Sequence, residues 1–229
     1  SNLLELDVPL VSSTGSSPFS GCNTLSNLNF PSLISVNDYG FNGLSGIVNV
    51  DLPSVTTIGI YGFQSCLNLE SISFESCTSI GNFAFCDCSK LSSINLPKLT
   101  YLNVRVFANT ALTKIELNGV TDSTNSNVRY IPDNKYYTGC HFQGCKQLTS
   151  VTMKLLTHIG HNSFLCCNSL SEISDFQSVE SIESSSFKNC TLLKKIFIGN
   201  SLTNLGSSAF EGCTSLETIV FESKIGAIR

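Results

Sequence analysis

The chain has 229 residues, 41% of them hydrophobic and only 13% charged, with 13 basic against 17 acidic side chains and a formal net charge of −4. That balance excludes the basic stripe nucleic acid requires. No apolar run approaches the roughly 18 residues of a membrane span, and no signal peptide opens the chain.

Residues 1–18 read as a partial coil, because Leu3, Leu6, Val8, Pro9 and Val11 match Leu25, Leu28, Phe30, Pro31 and Leu33. From Phe19 onward one unit repeats, best seen at 80–102. Its apolar residues change period. Phe85, Cys88, Leu91 and Ile94 are three apart, Ile94 and Leu96 are two apart as on one face of a strand, and Leu99 and Leu102 return to threes. Such a segment is a coil of a solenoid, made of a turn, a short strand and another turn.

The coils align in columns. The phenylalanine column is Phe19, Phe41, Phe63, Phe85, Phe107, Phe142, Phe164, Phe187 and Phe210, at intervals of 22, 22, 22, 22, 35, 22, 23 and 23. Three residues later stand Cys22, Leu44, Cys66, Cys88, Thr110, Cys145, Cys167, Cys190 and Cys213, followed by a leucine column that includes Leu69 and Leu91. The residue before each Phe is usually small, as at Gly40, Gly62 and Ala84. Strands are predicted around Leu28/Phe30, Val50/Leu52, Ile72/Phe74 and Ile94/Leu96, with Pro31, Pro53 and Pro97 ending them.

The pattern I-G-x-x-A-F-x-x-C-x-x-L-x-x-I-x-L-P-x-x-L resembles the BspA-type (Treponema-type) leucine-rich repeat over almost the whole chain. It departs at Leu44 and Thr110, at a one-residue deletion before Leu112, and between Phe107 and Phe142. The resemblance implies an α/β leucine-rich-repeat solenoid, right-handed and β-dominated. A parallel sheet would line the concave face, with short turns or 3₁₀ helices on the convex face, in about ten coils of 22–23 residues. The expected organisation is a single solenoid over residues 1–229. Neither end carries a polar capping repeat, so it reads as a fragment of a longer protein.

The long interval is read as a loop inserted at 121–141. It carries Arg129, Tyr130, Lys135, Tyr136 and Tyr137, residue types enriched at interface hot spots. Lys114 and Glu116 stand beside it, and together these seven are the candidate partner-binding residues. After Phe142 the extra residue per coil is expected to bulge near Asp175-Phe176 and after Gly199. The concave positions are polar and weakly acidic at first (Asp7, Asn27, Asn29, Asn49, Asp51). Later they carry more charge and apolar surface (Glu172, Lys195, Phe197, Val220).

Seven of the eleven cysteines occupy one column and an eighth, Cys77, replaces a core aliphatic. They read as reduced, buried small hydrophobes, leaving Cys86, Cys140 and Cys166 as candidates for exposed thiols. His158 and His161 with Cys140 and His141 do not match the four convergent ligands of a zinc site. No metal site, cofactor, nucleophilic triad or catalytic carboxylate pair is assigned, and no enzyme is read. Asn189-Cys190-Thr191 fits a glycosylation sequon, but Cys190 is a column residue. The resemblance implies a cell-surface or secreted, adhesin-like protein binding a protein ligand on another cell or host, with neither nucleic acid nor membrane insertion. The reading is a non-enzymatic protein–protein interaction module. The alternatives are a structural spacer or a glycan-recognition domain of a nutrient-capture protein. The latter needs aromatic platforms, of which the concave face shows only Phe197.

Overall fold

A computed structural model describes residues 3–121 and 139–222, and shows a parallel-stranded solenoid with no helix among the described residues. One side of every coil contributes a strand: Glu5–Asp7, Asn27–Asn29, Asn49–Asp51, Ser71–Ser73, Ser93–Asn95, Lys114–Glu116, Ser150–Thr152, Glu172–Phe176, Lys195–Gly199 and Thr218–Glu222. Equivalent residues of neighbouring coils pair in register, as Val50 with Ile72 and Ile72 with Ile94. The alternation follows from the side-chain period of two. Val50 and Ile72 are buried while Asn49 and Asp51 face solvent.

Three-residue strands lengthen to five from Glu172 onward. The added residue is absorbed by a register shift between Ile173 and Phe176, where a bulge was expected. The next pair of coils, both of the longer kind, pairs without a break from Lys195↔Thr218 to Gly199↔Glu222.

The convex side has the expected short turns and adds to them. It carries a second set of parallel ladders, made of the two-residue strands Ser35–Val36, Thr57–Ile58 and Ser79–Ile80, and later His158–Ile159, Ser181–Ile182 and Asn204–Leu205. Strands this short carry no periodic signal of their own. The turn that follows is built the same way in nine coils. The residues two before and two after each column Phe both hold positive φ, as Tyr39 (58°) and Gly43 (72°) flank Phe41, and Phe83 (59°) and Asp87 (62°) flank Phe85. A left-handed non-glycine residue costs about 1–2 kcal/mol. The turn recovers this through hydrogen bonds to the next coil, where Tyr39 N–H donates to Ile60 O (2.9 Å), Phe41 N–H to Gly62 O (2.7 Å) and Gly43 N–H to Gln64 O (2.8 Å).

The columns form the core. The nine column rings follow one another at centroid distances of 5.1–5.9 Å, within the range of offset-stacked aromatic pairs. Phe63, Phe85, Phe164, Cys66, Cys88, Cys145, Cys190, Leu69 and Leu91 are buried. Phe210 and Cys213 keep their column places but are only half-buried in the last described coil. The cysteine column has a polar function inside this core. Six of the seven column thiols, all but Cys22, donate to the carbonyl of the preceding coil's Phe: Cys66 to Phe41 (3.1 Å), Cys88 to Phe63 (3.0 Å), Cys145 to Phe107 (3.1 Å), Cys167 to Phe142 (3.1 Å), Cys190 to Phe164 (3.1 Å) and Cys213 to Phe187 (3.0 Å). A small apolar residue with one weak donor fits that place.

Two corrections concern cysteines. Cys86 and Cys140, expected to be exposed, are buried, and only Cys166 of that trio is part-exposed. Cys86 lies close to Tyr61, Asp87 and Arg105, and Cys140 takes the left-handed position before Phe142 with its N–H on His161 O at 2.7 Å. Of the loop expected at 121–141, residues 122–138 lie outside the described residues, while Thr121 and residues 139–141 are described. Thr121 N–H donates to Thr100 O (3.1 Å), Gly139 bridges His161, and His141 is buried in the small-residue position before Phe142. These residues belong to regular coils.

Candidate functional site

The first five strands of the ten-stranded face form the floor of a groove of about 930 Å³ that runs from Glu5 to Asn95. Period-two alternation sends the middle residue of each strand inward and its two neighbours into the groove, so each coil contributes one pair. These pairs are Glu5/Asp7, Asn27/Asn29, Asn49/Asp51, Ser71/Ser73 and Ser93/Asn95. In-register pairing stacks like upon like, and the side chains bond along the groove. Asn27 Nδ2 donates to Glu5 Oε1 and Asn29 Nδ2 to Asp7 Oδ1, both at 2.9 Å, and Ser71 Oγ donates to Asn49 Oδ1 at 2.9 Å. Glu75, at the edge, accepts from Ser73 Oγ (2.9 Å) and Asn95 Nδ2 (2.7 Å). The surface is thus ordered before any partner arrives. Its lining holds three carboxylates and no Lys, Arg or His.

The face changes beyond Asn95. Lys114 and Glu116 occupy the two exposed positions of the next strand, which lies beside Ser93–Asn95. Farther on, Lys195 Nζ sits 4.3 Å from the centroid of the Phe197 ring, a cation–π contact. Lys114 and Glu116 are therefore brought to the end of the groove. Arg129, Tyr130, Lys135, Tyr136 and Tyr137 lie outside the described residues. Among the described residues no group of three or more His, Cys, Asp or Glu side chains could hold a metal ion, and no helix is long and apolar enough to cross a membrane.

Six of the thiols, Cys77, Cys86, Cys88, Cys145, Cys167 and Cys190, are shifted toward the protonated form, whereas the hydrogen bond with Cys190 lowers Cys213. Burial pushes Cys77 and Cys145 up to about 11 and Cys86 up to about 12, and raises Cys88 and Cys167. For Cys190 a hydrogen bond with Cys213 acts in the same direction as burial. A thiol that resists ionisation is a poor nucleophile, so these groups pack rather than react.

A second surface feature lies on the convex turns. Tyr39, Tyr61 and Phe83, each two residues before a column Phe, stack at 4.8 and 5.0 Å, and the Arg105 guanidinium closes the row 5.9 Å above the Phe83 ring. The sequence signal was available as aromatics at a 22-residue spacing. The aromatic platform expected of a sugar-binding concave face lies instead on the convex turns.

The family model described as a BspA type leucine rich repeat region matches residues 12–128 and 123–229, with six copies. No curated protein matches the sequence. Among solved structures the chain is similar to the leucine rich repeat protein of T. pallidum, with 20% identity, 94% of this chain and 79% of that one covered, and a TM-score of 0.50. It is also similar to a leucine rich cell surface protein of Faecalibacterium prausnitzii A2-165 (20% identity, 98% and 89% covered, TM-score 0.43). A third similar structure is a leucine-rich repeat protein of Bacteroides ovatus ATCC 8483 (22%, 94% and 78%, 0.38).

Proposed function

Because this chain belongs to the BspA-type leucine-rich repeat family, we propose that it is a non-enzymatic protein-interaction module, displayed on a cell surface or secreted, that binds a basic patch on a protein of another cell. The observation that carries this reading is the groove from Glu5 to Asn95, lined by Glu5, Asp7 and Asp51, of which Glu5 and Asp7 are already held by neighbouring amides. Five parallel three-residue strands spaced about 4.8 Å apart give a floor roughly 19 Å by about 10 Å, about a quarter of the ~800 Å² each partner contributes to a standard interface. Carboxylates without cations favour a positively charged partner and steer its approach. Concave solenoid faces of this kind are extended binding surfaces.

The same proposal extends the contact to Lys114 and Glu116 at the end of the groove and to Arg129, Tyr130, Lys135, Tyr136 and Tyr137. Thr121, the described residue before that segment, belongs to the coil whose strand carries Lys114 and Glu116. Surface display follows from the family rather than from any residue described above. The test is an array of purified extracellular proteins probed with the wild-type chain and with the double variant Asp7→Lys/Asp51→Lys. The reading expects binders with basic surfaces that the variant loses. Binders that the variant retains with equal signal would reject it.

A further inference from the structure

Seven successive junctions, from Phe41–Phe63 to Phe187–Phe210, share the same three turn bonds, formed by the N–H groups of the column Phe and of the residues two before and two after it. At the first junction, between the Phe19 and Phe41 coils, none of the three forms. Ser17, Phe19 and Gly21 make no backbone bond to Asp38, Gly40 or Asn42. This coil also carries a proline, Pro18, at the position before its column Phe. Where Gly40 and Gly62 close their turns through N–H bonds to Asn37 O (2.9 Å) and Gly59 O (3.2 Å), proline has no N–H to offer.

The opened junction holds a cavity of about 180 Å³, walled by Ser17, Ser20, Asn23, Asn42 and Tyr39 with Gly21 and Gly43. The glycines explain why the space stays open. A Cβ on either would meet nothing within 4 Å, whereas at Gly144 and Gly212 in the same column it would come within 2.2 Å of the Asn109 and Asn189 side chains. Tyr39 ends the stacked row. One face of its ring is covered by Tyr61, the preceding coil places only Ser17 at the equivalent position, and 41% of the residue is exposed. The fold does not demand an aromatic there, because Ser17, Ser185 and Ser208 hold the same left-handed position.

We infer that this cavity is a binding site for one neutral sugar ring, distinct from the protein-binding groove. Amide and hydroxyl groups surround it with both donors and acceptors, no acidic or basic side chain lines it, and an aromatic ring stands at its edge. That combination suits the hydroxyls of a pyranose and offers nothing to a charged ligand. Asn42 is pre-set, since its Nδ2 is held by Gln64 Oε1 at 3.1 Å. The volume is below the ~300 Å³ where sites for larger ligands begin, so one ring enters and further sugars stay outside. A ligand of about a dozen heavy atoms should bind at a roughly millimolar Kd.

The experiment is saturation-transfer NMR of the 229-residue chain with the methyl pyranosides of glucose, galactose, mannose, fucose, N-acetylglucosamine and N-acetylgalactosamine. At least one glycoside should receive saturation, most strongly on the ring protons of one face. Two variants use residues the columns already accept. Tyr39→Ser removes the ring, and Gly21→Asn plugs the cavity as Asn109 does against Gly144. Both should still melt cooperatively as folded chains and lose the signal. No transfer to any glycoside, or transfer that survives in either folded variant, would overturn the assignment.

Discussion

The thiol of Cys88 donates to the carbonyl of Phe63, one coil back, at 3.0 Å, on the same oxygen that accepts the Cys66 N–H at 3.3 Å. The bond ties adjacent coils together inside a core that otherwise consists of rings and aliphatic chains, so the column tests a polar contribution within apolar packing. Thr110 shows what the position tolerates. Its hydroxyl donates to Phe107 O at 2.9 Å and pairs with Cys145 Sγ at 3.2 Å. Cys88→Ala should lower stability by about 1–3 kcal/mol, from a lost donor and a small cavity. Cys88→Thr should cost less, and urea melts of the two variants will rank them. Equal losses would show that the donor contributes nothing.

Thiol labelling without denaturant separates the cysteines by burial. Cys22, Cys166 and Cys213 are part-exposed and should react first, whereas Cys86 and Cys140 should be protected until the chain unfolds. Mass mapping after a short exposure to an alkylating reagent decides this. Early modification of Cys86 or Cys140 would contradict the burial described above.

The raised thiol pKa values carry a pH dependence of definite sign. Cys77 and Cys86 ionise near 9.0 ordinarily and at about 11 and about 12 in the folded chain. Above pH 9 the unfolded state therefore loses protons that the folded state keeps, and stability falls as pH rises. This contribution is present in full below pH 9 and is lost between pH 9 and about 12. The urea midpoint should drop across that window, and the drop should be shallower in Cys77→Val/Cys86→Ala than in wild type. An identical slope in the variant would assign the alkaline loss to other groups.

The coils on either side of residues 122–138 are regular, with Thr121 bonded to Thr100 and Gly139 bridged to His161. Replacing 122–138 by a short Gly-Ser turn should therefore leave the cooperative melt within a few degrees of wild type, because coils depend on their neighbours. The boundary matters, since cutting into 139–141 would remove buried Cys140 and His141 and should lower the midpoint markedly. A shortened chain that fails to fold would mean that the replaced segment packs on the solenoid.

The columns were legible because burial imposes a strict period on Phe, Cys, Leu and Ile, and the same period located the strands and the bulge before Phe176. Three features were not legible. The convex ladders rest on pairs such as Ser35–Val36, too short to show alternation. The inward placement of Cys86 and Cys140 depends on neighbouring side chains, not on register. The cavity at Tyr39 lies where Gly21 and Gly43 follow one another in adjacent coils and the three turn bonds are missing, which appears only when two coils are stacked. Of the groove, the polar concave residues were readable, but the amide–carboxylate bonds that organise them needed coordinates.

The most direct test of the account is a titration of the strongest array binder against wild type and Asp7→Lys/Asp51→Lys at two salt concentrations. An acidic groove that engages a basic partner predicts affinity at least about tenfold weaker in the variant, and a wild-type affinity that falls with added salt as the charges are screened. A binder whose affinity is the same for both chains at both salt concentrations would contradict it and would place the contact elsewhere on the solenoid.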